Sequence, residues 1–105
     1  MKIKLIDYGL EYAPFRAHDN DAGADVYSPV EYEVQPHETV KIPLHFGIEL
    51  PDGYVGFVFP RSSLSARGIV CELSPIDSGY RGEIHAVITN VSDEPYPIEI
   101  GRAHV

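Results

Sequence analysis

The sequence predicts an all-β domain, most simply a jelly-roll or a related distorted barrel. Hydrophobic residues alternate with polar ones at a period of two, and turn-forming residues separate the alternating runs. Nine Gly and nine Pro in 105 residues favour many short strands over long helices. With 44% hydrophobic residues the chain is expected to form one domain, residues 1–105, with enough apolar side chains for a core. A single short helix is expected after Pro60.

The first clear alternation sets Val30, Tyr32 and Val34 against Glu31 and Glu33. Val40, Ile42 and Leu44 repeat it against Lys41 and Pro43, and Phe46, Ile48 and Leu50 against His45, Gly47 and Glu49. Each run reads as a strand with one buried face. Pro51-Asp52-Gly53 then marks a turn, Pro fixing φ and Gly accepting a positive φ. Residues 54–59 and 83–91 read as strands too, but both carry apolar side chains on both faces. Such strands need cover on both sides. A second subunit or a second sheet of the same chain supplies it equally well. Residues 62–67 read as a turn or two of helix, with Ser62 as its cap and Gly68 as its end.

Composition narrows the partners. A net charge of −8 argues against a general binder of nucleic acid or of anionic membranes, which reward basic surfaces. No apolar run reaches the ~20 residues of a membrane helix, no leader pattern opens the sequence, and a cytoplasmic protein is expected. Cys71 is the single cysteine, so there is no disulfide framework. Neither Cys71 nor His18, His37, His45, His85 and His104 fall at metal-ligand spacing. Of five arginines (Arg16, Arg61, Arg67, Arg81 and Arg102), three lie between residues 61 and 81, a local positive cluster in an acidic chain.

That cluster overlaps two segments with chemical content. Pro75-Ile76-Asp77-Ser78-Gly79-Tyr80-Arg81-Gly82-Glu83 sets a carboxylate three residues before an aromatic ring in a turn-rich loop, suiting a general base beside a flat substrate. Pro60-Arg61-Ser62-Ser63-Leu64-Ser65-Ala66-Arg67-Gly68 supplies hydroxyls, a guanidinium fork and the free N–H groups of a helix start, a combination suited to phosphate. Together they suggest an enzyme acting on a nucleoside triphosphate. Taken singly, Asp77 also reads as a hairpin aspartate, Tyr80 as a core aromatic, and the serines as an ordinary turn.

With Asp21-Ala22-Gly23-Ala24-Asp25-Val26-Tyr27-Ser28 as a third block, the chain resembles the trimeric dUTPases, over nearly its whole length to about Gly101. The resemblance implies a distorted jelly-roll, β-clip-like barrel and hydrolysis of dUTP to dUMP and pyrophosphate with Mg²⁺. It assigns Asp77 as the base that activates the attacking water, and Tyr80 as the ring against the deoxyribose that excludes a 2′-hydroxyl. Ile76 and its backbone are assigned to the uracil, Arg61, Ser62 and Ser63 to the triphosphate, and Asp25 to Mg²⁺ through water. Asp25 on its own chemistry reads as a turn or cap aspartate. A homotrimer with sites between subunits is implied as well.

Two departures from the family shape the expectations. Cys71-Glu72-Leu73-Ser74-Pro75 is a few residues shorter than the family's base-reading stretch, so uracil selectivity depends on a different loop. Gly101-Arg102-Ala103-His104-Val105 looks like the start of a fourth block, with His104 at a glutamine position, and residues 1–105 are expected to lack the C-terminal arm that closes over the triphosphate. Slow turnover or none is expected for these residues. A related enzyme, dCTP deaminase, shares much of the framework but needs a glutamate on the following strand. Val87 stands there instead, and an alkyl group moves no proton. A catalytically weak nucleotide-binding or interaction module is the alternative outside catalysis.

Overall fold

The computed structural model describes residues 3–16, 23–72 and 74–99. Among the described residues seven strands and one helix follow in the order β1 (Lys4–Asp7), β2 (Tyr32–Val34), β3 (Thr39–Pro43), β4 (Phe46–Glu49), α1 (Ser62–Ala66), β5 (Ile69–Cys71), β6 (His85–Asn90) and β7 (Tyr96–Ile98). They form three small antiparallel sheets, β1–β4, β2–β7 and β3–β6–β5, which do not close into a barrel among the described residues.

Alternation on β6 organises the molecule. Ala86, Ile88 and Asn90 are buried while His85, Val87 and Thr89 stay half-exposed, as a period of two requires when one face meets the core. The inward set packs with Ile42, Leu44, Phe46, Ile69, Cys71 and Ile84 in one hydrophobic cluster. β6 pairs with β3 on one side (Lys41 opposite Val87) and with β5 on the other (Cys71 opposite Ile88). Asn90, fully buried, donates to the carbonyls of Val34 (3.1 Å) and Glu94 (2.7 Å) and accepts from the Ser92 N–H (3.0 Å) and hydroxyl (2.6 Å). Each polar atom of that amide is therefore satisfied.

The helix falls where the sequence predicts it, with a different start. Arg61 is the N-cap, in extended conformation and without a capping side-chain bond, and Ser62 is the first helical residue rather than the cap. Arg67 ends the helix, and Gly68 follows at φ 84°, a conformation that a Cβ disfavours. Leu64 is the helix's buried residue. Its packing, rather than propensity, holds so short a helix in place.

Other expectations shift. Tyr32 is 40% exposed, unlike the buried Val34, because its hydroxyl donates to Glu38 Oε2 at 2.5 Å at the surface. Residues 54–59 form no strand. Gly56 alone bridges Ile76, and Tyr54, Val55, Phe57 and Phe59 are 54%, 52%, 45% and 58% exposed. With no neighbouring strand along its length, this segment lacks the ladder that would make it regular. In the preceding turn Tyr54 N–H donates to the Pro51 carbonyl (3.2 Å), so Gly53 takes the positive φ of 87° and Pro51 occupies the first position. No described helix is long and apolar enough to cross a membrane.

Candidate active site

The loop that carries Asp77 and Tyr80 is tied down at both ends. At its start, Ile76 exchanges two backbone hydrogen bonds with Gly56, of 2.8 and 3.0 Å. Asp77 begins a turn closed by Tyr80 N–H on the Asp77 carbonyl (3.0 Å), which sets the carboxylate and the ring at opposite corners of one tight turn. The Tyr80 hydroxyl donates to the Glu83 carbonyl (2.9 Å), folding the ring back along the chain over Gly82. A Cβ at Gly82 would lie 2.6 Å from that hydroxyl oxygen, so the absence of a side chain there lets the ring lie down. On the far side the Tyr8 hydroxyl donates to the Arg81 carbonyl (2.6 Å), and Gly47 leaves room for the loop, since a Cβ there would meet the Gly82 carbonyl at 2.7 Å.

This loop overhangs a cleft of about 250 Å³. Its walls come from Val58, Glu72, the segment 74–77, Tyr80 and Glu83, and from the solvent-facing row of the β3–β6–β5 sheet: Lys41, His85 and Val87. The Glu72 N–H donates to the Val87 carbonyl (2.9 Å), which sets Glu72 and Lys41 on opposite sides of Val87 across the sheet. The cleft thus combines apolar surface from Val58, Ile76, Ile84 and Val87 with a few charged groups at its edges, the usual make-up of a small-molecule site.

Among the residues singled out from sequence, Ile76, Asp77 and Tyr80 meet in this cleft. Asp77 is exposed, and no described group bonds to its carboxylate. Arg61, Ser62 and Ser63 do not line the cleft; they stand exposed at the start of α1. The first helical acceptor, the Arg61 carbonyl, takes the N–H groups of Leu64 (2.9 Å) and Ser65 (3.1 Å), leaving those of Ser62 and Ser63 without a helical partner. Asp25 does not line the cleft either, and exchanges backbone hydrogen bonds of 2.7 and 2.9 Å with Phe15. Asp21, Ala22, Leu73, Arg102 and His104 lie outside the described residues, as does the comparison of the chain's end with a fourth block.

Arg81 and Arg67 are occupied. Arg81 donates to the carbonyls of Ser78 (2.6 Å) and Tyr80 (3.3 Å) and reaches Glu49 at 3.6 Å, so it braces the loop from within. Arg67 lies 4.9 Å above the Tyr96 ring. Cys71 faces the core, where burial, with the nearby Glu72 charge, pushes its thiol pKa up.

Glu72, Ser74 and Pro75 of the cleft come from the stretch set against the family's base-reading segment, and Lys41 and His85 are the cleft residues that the sequence does not announce. Each of these two reads as an ordinary polar position of a strand, and only the pairing of β3 and β6 gathers them. Among the described residues no group of three or more His, Cys, Asp and Glu side chains is arranged to hold a metal ion.

Comparison with known proteins places the chain in a family. The dUTPase family model matches residues 12–103. The deoxyuridine 5′-triphosphate nucleotidohydrolase of Mycolicibacterium gilvum (strain PYR-GCK) is 45% identical over 92 residues, covering 85% of this chain. The chain spans 59% of that relative's length. The enzyme of the same name from Mycobacterium tuberculosis (strain ATCC 25177 / H37Ra) is 40% identical over 105 residues, 97% of this chain and 67% of that one. A mutant dUTPase from phage phi11 of S. aureus, which coordinates a structural Mg(II) ion, superposes with a TM-score of 0.90 at 23% identity, covering 99% of this chain and 86% of its own. That neighbour has the jelly-roll fold to which these strands and this single short helix conform. By the family match along nearly its whole length, the chain belongs to the dUTPase family.

Proposed function

We propose that the chain hydrolyses dUTP to dUMP and pyrophosphate. The observation that carries this reading is the Asp77–Tyr80 turn at the rim of a partly apolar cleft, which offers a carboxylate and an aromatic face to one ligand. The activity named for the 45% identical relative supports it.

In this mechanism the base enters the cleft against Ile76, Val58 and Val87, and Tyr80 lies against the deoxyribose, leaving no space for a 2′-hydroxyl. The Asp77 carboxylate accepts a proton from a water and orients it toward the α-phosphorus, a role that contributes ~10²- to 10⁴-fold in enzymes of this kind. Arg61, with the hydroxyls and N–H groups of Ser62 and Ser63, binds the triphosphate oxygens and takes up the charge that builds as pyrophosphate departs. Mg²⁺ needs few protein ligands, because it keeps several waters and binds substrate phosphates directly. The carboxylate of Asp25 fits such a site and would hold the ion through water. Once bound, the ion supplies neutralisation of phosphate charge.

The helix start that suits phosphate stands outside the cleft that holds Asp77, and apolar side chains of residues 54–59 are exposed. Both features support a homotrimer in which one subunit's phosphate-binding turn completes the cleft of another. Val87 in the cleft wall favours pyrophosphate release over deamination of dCTP, since no carboxylate stands at that position.

The reading is tested by incubating the full chain in excess over dUTP, dCTP, dTTP or UTP, with Mg²⁺ and with chelator, and following pyrophosphate and ammonia. Pyrophosphate is expected from dUTP, suppressed by chelator, with little from UTP. No pyrophosphate from dUTP, or ammonia from dCTP, would overturn it.

A further inference from the structure

Glu83 is used twice at the foot of the Asp77–Tyr80 loop. Its main-chain carbonyl accepts the Tyr80 hydroxyl at 2.9 Å and lies 3.2 Å from His85 Nδ1. Its side chain makes two further contacts: Oε2 accepts the backbone N–H of His45 at 3.0 Å, and Oε1 lies 3.9 Å from His85 Nε2. Both of these side chains are mostly buried, at 27% exposure for Glu83 and 28% for His85.

The group that Glu83 holds is itself unusual. His45 has φ 62°, a left-handed conformation uncommon outside glycine, and hydrogen bonds hold it there from both sides. The His45 N–H is bound to Glu83, and the His45 carbonyl accepts from Tyr8 N–H at 3.0 Å. Tyr8 in turn holds the Arg81 carbonyl through its hydroxyl. A closed circuit results, from Tyr80 to Glu83, to the His45 turn, to Tyr8 and back to Arg81.

We propose that Glu83 is a positioning residue for sugar selection: its carboxylate fixes the loop's exit to the β3–β4 turn, and its carbonyl thereby holds the Tyr80 ring where a 2′-hydroxyl would collide. The proposal rests on the dUTP reading above, because a ring that is free to tilt excludes nothing. Glu83 touches no substrate in this account and takes no part in proton transfer. Its removal widens specificity, leaving the Asp77 chemistry in place.

The test compares kcat/KM for dUTP and UTP in the wild type, Glu83→Ala, Glu83→Gln, Tyr80→Phe and the Glu83→Ala/Tyr80→Phe double variant. Glu83→Ala is expected to lower the dUTP/UTP ratio by about tenfold or more. Glu83→Gln keeps an oxygen acceptor for the His45 N–H and is expected to stay within about twofold of the wild type. Tyr80→Phe loses the hydroxyl at the other end of the same link, and is expected to lower the ratio by itself. The double variant is then expected to be no worse than the poorer single one, since both break one link. A folded Glu83→Ala protein with the wild-type ratio overturns the proposal, as does full additivity in the double variant. Should Glu83→Ala not fold, an unchanged ratio in Tyr80→Phe overturns it equally. Amide exchange separates this outcome from failure of the function itself. If the wild type hydrolyses no dUTP, the proposed function falls. Loss of His45 amide protection in Glu83→Ala, with retention in Glu83→Gln, still supports the anchor, and unchanged protection in both overturns it.

Discussion

Replacing Gly82 by alanine perturbs the Tyr80 ring with almost no other consequence. The new Cβ would lie 2.6 Å from the Tyr80 hydroxyl oxygen, 2.7 Å from Cζ and 3.1 Å from Cε1. Carbon contacts are favourable at ~3.5–4.0 Å, so the ring must retreat by about 1 Å. A retreat of that size takes the 2.9 Å bond to the Glu83 carbonyl beyond hydrogen-bonding range. Because Tyr80 is 47% exposed, water replaces the lost partner and the stability cost stays at about 1 kcal/mol or less. Activity responds far more, since displacing a positioning group by ~1 Å costs on the order of 10²-fold. Thermal unfolding together with kcat/KM for dUTP and UTP reads both effects. The expected pattern is a melting temperature within a few degrees of the wild type, a large fall for dUTP and a smaller fall for UTP. Wild-type kinetics on both substrates in a folded Gly82→Ala protein would show that the ring does not gate the sugar.

Other outcomes follow from the same structure. Asn90→Ala removes four hydrogen bonds from a fully buried amide and takes the side-chain donor from the buried Val34 carbonyl, while the exposed Glu94 carbonyl keeps the Ser92 hydroxyl, so urea unfolding should show a loss of about 2–4 kcal/mol with activity falling only through stability. The Tyr32 hydroxyl and the Gln35 N–H lower the Glu38 pKa, and the bond to Glu38 raises that of Tyr32. Stability from the lowered carboxylate is present above its unfolded pKa and lost as pH falls through the folded one. Stability from the raised phenol is present below its unfolded pKa and lost as pH rises through the folded one. Tyr32→Phe should therefore flatten the melting-temperature profile at both ends, and an unchanged profile would contradict the link. Asp77→Asn and Arg61→Ala proteins, each inactive alone, should recover about a quarter of wild-type activity when unfolded and refolded as a 1:1 mixture, if each site draws these residues from different subunits of a trimer. Recovery of none would place both residues in one subunit's site or remove the trimer.

The all-β class, the short helix and the Asp77–Tyr80 turn were legible in the sequence because each rests on local signals: period-two alternation, Gly and Pro at turns, and a motif contained in nine residues. The cap expected at Ser62 falls one residue earlier, at Arg61, and the larger departures are set by contacts with other parts of the chain. Residues 54–59 have the composition of a strand, yet strand formation needs a partner, and only Gly56 finds one. Tyr32 fits the apolar alternation, but its hydroxyl bond to Glu38 holds it at the surface. Lys41 and His85 enter the cleft through the register of β3 and β6, which no spacing along the chain encodes. The double use of Glu83 is equally invisible, because its carboxylate reaches a backbone N–H 38 residues away. The phosphate-suited turn was recognised as a motif, but its place outside the Asp77 cleft required the fold.

The central claim is that Asp77 activates the water that attacks dUTP, and single-turnover hydrolysis by Asp77→Asn at saturating dUTP tests it most directly. The amide has nearly the size and shape of the carboxylate, so dUTP binding measured by calorimetry should remain within a few fold of the wild type. The rate of pyrophosphate release should fall by ~10²- to 10⁴-fold. Equal single-turnover rates in the two proteins, with binding matched, would contradict the account.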